Sequence, residues 1–262
     1  MRKIRRVDSK SRRMYYIDGR GYPSVTTITG LLNKPALYNW YAKITAEYLR
    51  GLVLEAIADP SIDAFNFLKE LTTDKIIKAA KAQPGKIKEE AAQKGKRVHK
   101  VIEDYFKTGR VKFGVDIQPQ IEKFLSWKYE RKLSPIASEH IVYSQKYKYA
   151  GTLDLVAKLS FNEHPLPHIY VIDFKTSNGI WPEHKLQLAA YMIAYEEMTG
   201  KEIDEGGILR IDKVSGETEW HGFGKEELLD YFEEFRRLCE IWHLRQGRKK
   251  QWDLDNRMLV QM

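Results

Sequence analysis

Three successive β-rich segments in the middle of the chain set the strongest constraint on the fold. They cover residues 136–144, 150–159 and 168–176, and polar clusters such as QKYKY and SFNEHPLP separate them. Such short polar connections predict a meander of three strands. A helix that starts at Pro182 and ends before Gly200 follows, and then two more strand patterns, GGILRID and ETEWHGF. This order predicts an α/β protein with a mixed central β-sheet flanked by helices.

The residues before this sheet are predicted to be mostly helical. Residues 1–30 carry turn signals and indicate a small hairpin. Elsewhere, apolar residues at helical spacing predict five helical segments: 37–54, 61–82, 87–107, 119–132 and 225–244. Pro60 and Pro84 are the expected breaks between the first three. We therefore expect an N-terminal hairpin and helical region over 1–90 and a core over 91–262 that ends in an amphipathic helix.

Charge and cysteine content narrow the function. The 262 residues carry 44 Lys and Arg against 36 Asp and Glu, a net charge of +8, which favours a polyanionic partner such as nucleic acid. The single cysteine, Cys239, excludes a disulfide framework, a four-thiolate zinc site and an iron–sulfur cluster, because each of these needs several sulfur atoms. Any metal is therefore expected on oxygen and nitrogen ligands.

Two further classes of protein are not expected. The chain has no phosphate-binding loop of the form G-x-x-x-x-G-K-[ST], which argues against the use of ATP. No stretch approaches about 18 apolar residues, and the basic start MRKIRR is not followed by the apolar run of a signal peptide. We expect a cytoplasmic protein with no membrane partner.

Two aspartates are predicted to face each other on neighbouring strands. If the second and third strands form an antiparallel hairpin closed symmetrically over residues 161–166, Asp154 lies opposite Asp173 and Val156 lies opposite Val171. Like charges in facing positions destabilise a sheet by up to ~1 kcal/mol, so a purely structural sheet gains nothing from this pair. A divalent cation between the two carboxylates would turn the repulsion into a binding site.

The residue types favour hydrolytic metal chemistry. Carboxylate oxygens select Mg²⁺ or Mn²⁺, which leave coordination positions to water and to substrate phosphate. Lys175 follows Asp173 by two positions and therefore lies on the same face of its strand, where its amino group can position a water molecule. A metal that lowers the pKa of water and stabilises charge on a phosphate meets the requirement for phosphodiester hydrolysis.

At these residues the sequence resembles the PD-(D/E)XK nuclease superfamily, specifically its RecB-like exonuclease branch without an iron–sulfur cluster. Three motifs carry the resemblance: GTLD at 151–154, DFK at 173–175, and Q-x-x-x-Y at Gln187 and Tyr191. The matched core covers roughly residues 95–212, and its order of helix, three-strand meander, helix and strand is the order of the family. Leu153 stands where other members of the superfamily have proline, which is usual in this branch.

The resemblance implies a restriction-endonuclease-like core and a role for each matched residue. Asp154 and Asp173 would bind one or two catalytic metal ions, and Lys175 would assist the attacking water. Gln187 would support the site, and Tyr191 on the same helix would contact DNA. Recombination, DNA repair and viral DNA processing are natural settings for this branch.

Three upstream residues are further candidates for the site. His99 matches the family's G-x-x-x-H helix, whose imidazole completes the metal shell, and Glu103 lies one helical turn further on the same face. Glu139 reaches the position opposite Asp154 if a turn at 146–147 closes the first two strands. The structural alternatives are a surface histidine on an amphipathic helix and a salt-bridged edge glutamate.

Five other residues are suited to DNA contacts. The hydroxyl groups of Thr176 and Ser177 follow the lysine and can donate to a phosphate, and Trp181 can stack on a base. Ser24 and Thr26 precede the first helical region, where they can cap a helix and bind phosphate at its N-terminus. For each of these, ordinary turn packing or a plain N-cap is the structural alternative.

Together these observations predict a metal-dependent DNA exonuclease. The helical segments before the core would cover the active-site cleft, so that linear DNA with free ends, and with single-stranded character, enters. A structure-specific endonuclease of the junction-resolvase type is an alternative, which the long helical region disfavours. A catalytically inactive DNA-binding module is another, which the intact Lys175 disfavours.

Overall fold

The computed structural model describes residues 3–9, 12–59, 61–161 and 164–260. The chain divides into two compact units, one formed by Met1–Leu32 with Arg97–Met262 and the other by Asn33–Lys96. The second boundary lies close to the one expected near residue 90. The N-terminal residues, however, belong to the unit that contains the central sheet and not to the helical unit.

The N-terminal residues form a three-stranded antiparallel sheet where the sequence predicts a hairpin. Its strands, in spatial order, are β1 (Ile4–Asp8), β2 (Arg13–Ile17) and β3 (Arg20–Pro23). Asp18 and Gly19 join the last two strands with positive φ angles of 48° and 81°, as a two-residue hairpin loop requires. A short helix, α1 (Val25–Thr29), follows. The buried Tyr15 packs with Tyr143 of the central sheet, which joins the two sheets in one unit.

The unit 33–96 is helical, as predicted, but its helices break at a different place. They are α2 (Pro35–Ala58), α3 (Ala64–Leu71) and α4 (Asp74–Thr108), the last of which continues into the other unit. The predicted break at Pro84 is wrong, because α4 runs through this proline. The break occurs instead at Thr72 and Thr73, whose hydroxyl groups donate to the carbonyls of Lys69 and Glu70, both at 2.7 Å. Within the described ranges, no helix is long and apolar enough to cross a membrane.

The central sheet has five strands and confirms the predicted α/β class and meander. The strands, in spatial order, are β4 (Ser134–Ser144), β5 (Tyr149–Phe161), β6 (His164–Lys175), β7 (Glu205–Ile211) and β8 (Thr218–Gly224). All neighbours pair antiparallel except β6 and β7, which are parallel and are joined by α6 (Pro182–Thr199). Gly200 ends α6 with a φ of 66°, the left-handed conformation that a C-terminal glycine supplies.

Helices cover both faces of this sheet. Three further helical segments complete the unit: a 3-10 turn (Val115–Ile117), α5 (Gln118–Glu130) and α7 (Lys225–Val260), the last longer than the predicted 225–244. On one face, α1, α6 and α7 bury apolar side chains against Leu153 and Val171. On the other face, α5 and the final part of α4 pack against Leu155 and Ile172. The sheet is therefore the middle of three layers.

Candidate metal centre

The predicted pairing of β5 and β6 is confirmed, and it ends at the two aspartates. Val156 faces Val171 and Leu155 faces Ile172, after which the ladder stops. The next residue in each direction is Asp154 on β5 and Asp173 on β6. The backbone N–H of Phe174 donates to Asp154 Oδ2 at 2.8 Å, so this carboxylate takes the place of the next backbone partner. From here β6 continues as a partner of β7 alone.

A local break in β4 and β5 places Glu139 in the same region. The predicted register is confirmed by the pairs of Ser138 with Leu155 and His140 with Leu153, but Glu139 and Asp154 make no ladder pair between them. Leu153 and Leu155 lie in different cores, although residues two apart in a strand normally point to one face. Glu139 has a φ of 46°, a left-handed conformation that costs a non-glycine residue on the order of 1 kcal/mol. This backbone strain is typical of functional sites.

Three side chains from three elements converge at this break. Potential ligand atoms of His99 on α4, Glu139 on β4 and Asp154 on β5 all lie within 4.8 Å of one another. His99 Nδ1 lies 3.7 Å from Asp154 Oδ2. The imidazole also contacts the ring of Phe174 edge-on, with 6.2 Å between centroids, which fixes its orientation. An imidazole with two carboxylates is a donor set that suits a divalent cation.

Asp173 lies beside this group and is buried. Its carboxylate pairs with Lys175 Nζ at 2.5 Å, yet neither oxygen accepts a hydrogen bond of good geometry from the described residues. Lys175 Nζ also donates to Gln187 Oε1 at 3.2 Å, and Gln187 Nε2 donates to the hydroxyl oxygen of Tyr191 at 3.0 Å. Thus the D-x-K and Q-x-x-x-Y motifs meet in one chain of contacts, at a carboxylate with unused acceptor capacity.

Burial changes the protonation of every acid in this group. It raises the pKa of Asp173 to about 6, with Lys175 opposing and Asp154 adding to the rise. It raises the pKa of Glu139 to about 7, again with a contribution from Asp154. Burial also raises the pKa of Asp154, against Lys175 and the Phe174 N–H. The same burial, with the charge of Lys175, lowers the pKa of His99 to about 4.

The effect of burial on these carboxyls outweighs that of the nearby cations, Lys175 above all, so their ionised forms are incompletely stabilised. A cation such as Mg²⁺ or Mn²⁺ supplies further positive charge and uses oxygen and imidazole nitrogen as ligands. The unused acceptor oxygens of Asp173 fit the same requirement. The residues present therefore fit a divalent metal ion, held by His99, Glu139 and Asp154 with Asp173 adjacent.

Glu103 is not a member of the group. It forms ion pairs with Lys107 and with Lys100, the latter at 3.3 Å. Burial, which raises its pKa, is outweighed by the bonds from Lys107 and Lys100, so the pKa of Glu103 is lowered. Its negative charge nonetheless contributes to the raised pKa of Glu139. Glu103 is a neighbour of the site whose charge is already balanced.

The loop between β6 and α6 carries three of the residues predicted to contact DNA. Thr176 is partly exposed, and Trp181 keeps 45% of its surface accessible. Ser177 Oγ donates to the carbonyl of Gly179 at 2.7 Å, so its hydroxyl stabilises the loop. The loop begins directly after Lys175, so Thr176 and Ser177 adjoin the candidate site along the chain.

Ser24 acts as the N-cap of α1, the structural alternative that its sequence context allowed. Its hydroxyl oxygen accepts from the backbone N–H of Thr27 at 3.0 Å, and the side chain is buried. Thr26 is exposed, and its hydroxyl lies 2.9 Å from that of Ser24. Of the two residues, Thr26 is therefore the one accessible to a ligand.

Two N-terminal residues near the site have no signal in the sequence. The hydroxyl of the fully buried Tyr15 lies 2.9 Å from Thr152 Oγ1, two residues before Asp154. The positive charge of Arg6 on β1 lowers the pKa of Glu139 slightly against the effect of burial. Tyr15 and Thr152, like Arg6 and Glu139, are more than 100 positions apart, and no local pattern indicates such a pair.

Comparison with known proteins assigns no family. No family model matches the chain, and no curated protein matches it. A solved structure of SSO0001 matches with 16% sequence identity over 76% of this chain and 84% of that chain, at a TM-score of 0.30. At this level of overlap the comparison assigns neither a family nor an activity.

Proposed function

We propose that this protein is a Mg²⁺- or Mn²⁺-dependent deoxyribonuclease with a PD-(D/E)XK-type core, which hydrolyses phosphodiester bonds from free DNA ends. The observation that carries the proposal is the convergence of His99, Glu139 and Asp154 beside the buried pair of Asp173 and Lys175. A stable sheet gains nothing from such crowding of acids. We place the enzyme in the cytoplasm, in DNA repair or recombination.

In this proposal the metal is held by His99, Glu139, Asp154 and Asp173. When bound, the ion lowers the pKa of the attacking water and stabilises negative charge on the phosphate. His99 is suited to this task because its lowered pKa keeps the imidazole neutral, and therefore available as a ligand, above pH 5. Phe174 holds Asp154 through its backbone N–H and limits the freedom of His99 through ring contact.

Lys175 is proposed to position the attacking water. Its ammonium group lies between the carboxylate of Asp173 and the amide oxygen of Gln187, so an ion pair and a hydrogen bond fix its location. Tyr191 in turn accepts a hydrogen bond from Gln187. Gln187 and Tyr191 therefore act as positioning residues for Lys175. Such supporting contacts typically contribute 10- to 100-fold to activity, by analogy with the outer shells of metal sites.

Linear DNA should be degraded in Mg²⁺ or Mn²⁺, whereas EDTA should abolish the reaction and covalently closed circles should resist. The restriction to free ends is expected because a helical region over residues 35–71 precedes α4, the helix that carries His99. The measurement uses one sequence in linear and circular forms, single- and double-stranded, with products resolved by gel electrophoresis. Activity that survives EDTA would exclude the metal mechanism. Comparable cutting of closed circles would favour an endonuclease.

Metal affinity should fall steeply as the pH drops below 7. With pKa values of about 7 for Glu139 and about 6 for Asp173, both carboxyls carry protons at pH 5 and must release them to bind a cation. His99 is already neutral there and releases none. The apparent dissociation constant for Mn²⁺ should rise about tenfold per pH unit for each carboxyl that titrates. Calorimetric titrations at pH 5, 6 and 7 measure this, and a flat profile would contradict it. Glu139→Gln should remove the part of this pH dependence that lies nearest pH 7.

A further inference from the structure

A cleft of about 410 Å³ lies at one end of the N-terminal sheet, apart from the candidate metal centre. Its walls come from the ends of β1 and β2 and from α1. The lining residues are polar or small: Asp8, Ser9, Arg12, Arg13, Thr26, Thr27 and Gly30. Such a wall has little apolar surface to offer, and its composition indicates a charged or strongly polar ligand.

The cleft is positively charged. Its one carboxylate, Asp8, is bound by two arginines: Arg6 Nη2 donates to Oδ2 and Arg13 Nε to Oδ1, both at 2.8 Å. These bonds, from Arg6 first, hold the pKa of Asp8 below its ordinary value. Arg12 adds a third guanidinium. Arg6 binds Asp8 but does not itself line the cleft, so the lining residues Arg12 and Arg13 outnumber Asp8 by one positive charge, which favours an anionic ligand.

The cleft also keeps hydrogen-bond donors for such a ligand. Among the described residues, Arg13 Nε donates to Asp8, and Arg12 Nη1 donates to Gln246 Oε1 at 3.5 Å. Thr27 Oγ1 donates to the Arg13 carbonyl and accepts from the Arg13 N–H, which fixes the strand end against α1. The remaining guanidinium N–H groups are thus presented from a rigid backbone. Arginine in this arrangement matches the planar pairs of oxygens on a phosphate.

The same sheet connects the cleft to the candidate metal centre. Arg6 lies two positions before Asp8 on β1, about 7 Å along the strand, and the two residues face the same way. Arg6 pairs with Tyr15 of β2, whose hydroxyl contacts Thr152 on the strand of Asp154. The positive charge of Arg6 acts on Glu139. The path from the cleft to the candidate metal centre thus runs along β1 past one cation, Arg6, and across Tyr15 to Thr152.

We propose that the cleft binds a backbone phosphate of the nucleic-acid strand whose scissile bond lies at the metal centre, with Arg12, Arg13 and Thr26 as its contacts. This inference rests on the proposed nuclease function, since the strand is the substrate. The path through Arg6 favours a continuous polyanion over a free phosphate ion, because only a strand can occupy both places at once. The cleft then sets the length of DNA that the enzyme holds.

The test measures binding of a labelled single-stranded 30-mer in EDTA, between about 50 and 300 mM salt. Arg12→Glu should raise Kd about tenfold and reduce the magnitude of the slope of log K against log salt by ~0.7, the value for one phosphate contact on a single strand, and Thr26→Asp should also raise Kd about tenfold. Thr26→Asp places its charge in the first turn of α1, where an acid favours the helix, so loss of fold is not expected. Arg20→Glu is the matched control: Arg20 is exposed at the opposite end of the sheet and should change Kd less than about twofold.

The kinetic counterpart is a rise of about tenfold in KM for linear DNA in Arg12→Glu, with kcat changed less than about twofold. Equal effects of Arg12→Glu and Arg20→Glu on Kd and on KM would overturn the proposal that the cleft binds a phosphate of the strand. The nuclease proposal would remain intact in that case if the wild type degrades DNA. Conversely, DNA binding that depends on Arg12 in a protein without metal-dependent cleavage would support the cleft and overturn the nuclease proposal. If Arg12→Glu weakened the binding of inorganic phosphate but left the affinity for DNA unchanged, the assignment of the cleft to a DNA strand would be overturned.

Discussion

Asp173→Asn should lower kcat for DNA cleavage by about 10³-fold or more without lowering the melting temperature of the metal-free protein. The loss of activity follows from removal of a metal-binding charge beside Lys175. The retained stability follows from the pKa of about 6, because folding disfavours the ionised form of this buried carboxyl at neutral pH. Activity assays and thermal unfolding at pH 7 measure the two effects on the same preparations.

Lys175→Met should show a loss of cleavage of similar size. DNA affinity should stay within about threefold of the wild type in both variants, because binding depends on many dispersed cations. Glu130 and Lys132 form a matched control pair, since they have the same acid-x-Lys spacing on the exposed surface. Glu130→Gln and Lys132→Met should leave cleavage unchanged. Cleavage above a tenth of wild type in Asp173→Asn, or a large drop in its melting temperature, would show that the residue has a structural role.

Gly151→Ala should cost about 1–3 kcal/mol of folding free energy and reduce cleavage about 10- to 100-fold. A Cβ atom at this position would lie 2.4 Å from Cε1 of Tyr191 and 3.3 Å from Cγ2 of Val25. Both neighbours are buried and cannot move aside. Displacement of Tyr191 also removes the acceptor of the Gln187 hydrogen bond, and with it the support of Lys175.

Gly224→Ala provides the control for this substitution. Gly224 ends β8, and an added Cβ would meet nothing within 4 Å, so stability and cleavage should stay near wild-type values. Chemical unfolding gives the difference in free energy between each variant and the wild type. If Gly151→Ala were as stable and as active as Gly224→Ala, the close contact between the GTLD and Q-x-x-x-Y motifs would not matter.

Two local rules, applied to β5 and β6, made much of the site predictable from the sequence. Strands alternate with a period of two, and a short connection fixes which residues face each other. Those two local rules suffice to place Asp154 next to Asp173, and Lys175 on the same face. They also give the register of β4 with β5, and hence the location of Glu139.

Helix boundaries followed local rules less closely. The proline and glycine that frame α6 mark its observed ends, since both act within a single turn of backbone. Pro84, in contrast, does not end α4, and two threonine hydroxyls end α3 instead. A proline removes one backbone hydrogen bond, and the rest of a long helix can outweigh that loss. Whether a proline ends a helix therefore depends on the whole helix and not on the proline alone.

The sequence by itself determined the α/β class, the order of the strands, and the placement of Asp154 on β5 beside Asp173 and Lys175 at the end of β6. Each of these depends on short-range periodicity. Only the tertiary structure decided the left-handed backbone of Glu139, the switch of β5 between two cores at Asp154, the electrostatic effect of Arg6 on Glu139, and the contact of Tyr15 with Thr152. These features arise where elements distant in sequence pack together. Burial there sets the pKa of each acid and the orientation of each side chain, and neither quantity is encoded in local spacing.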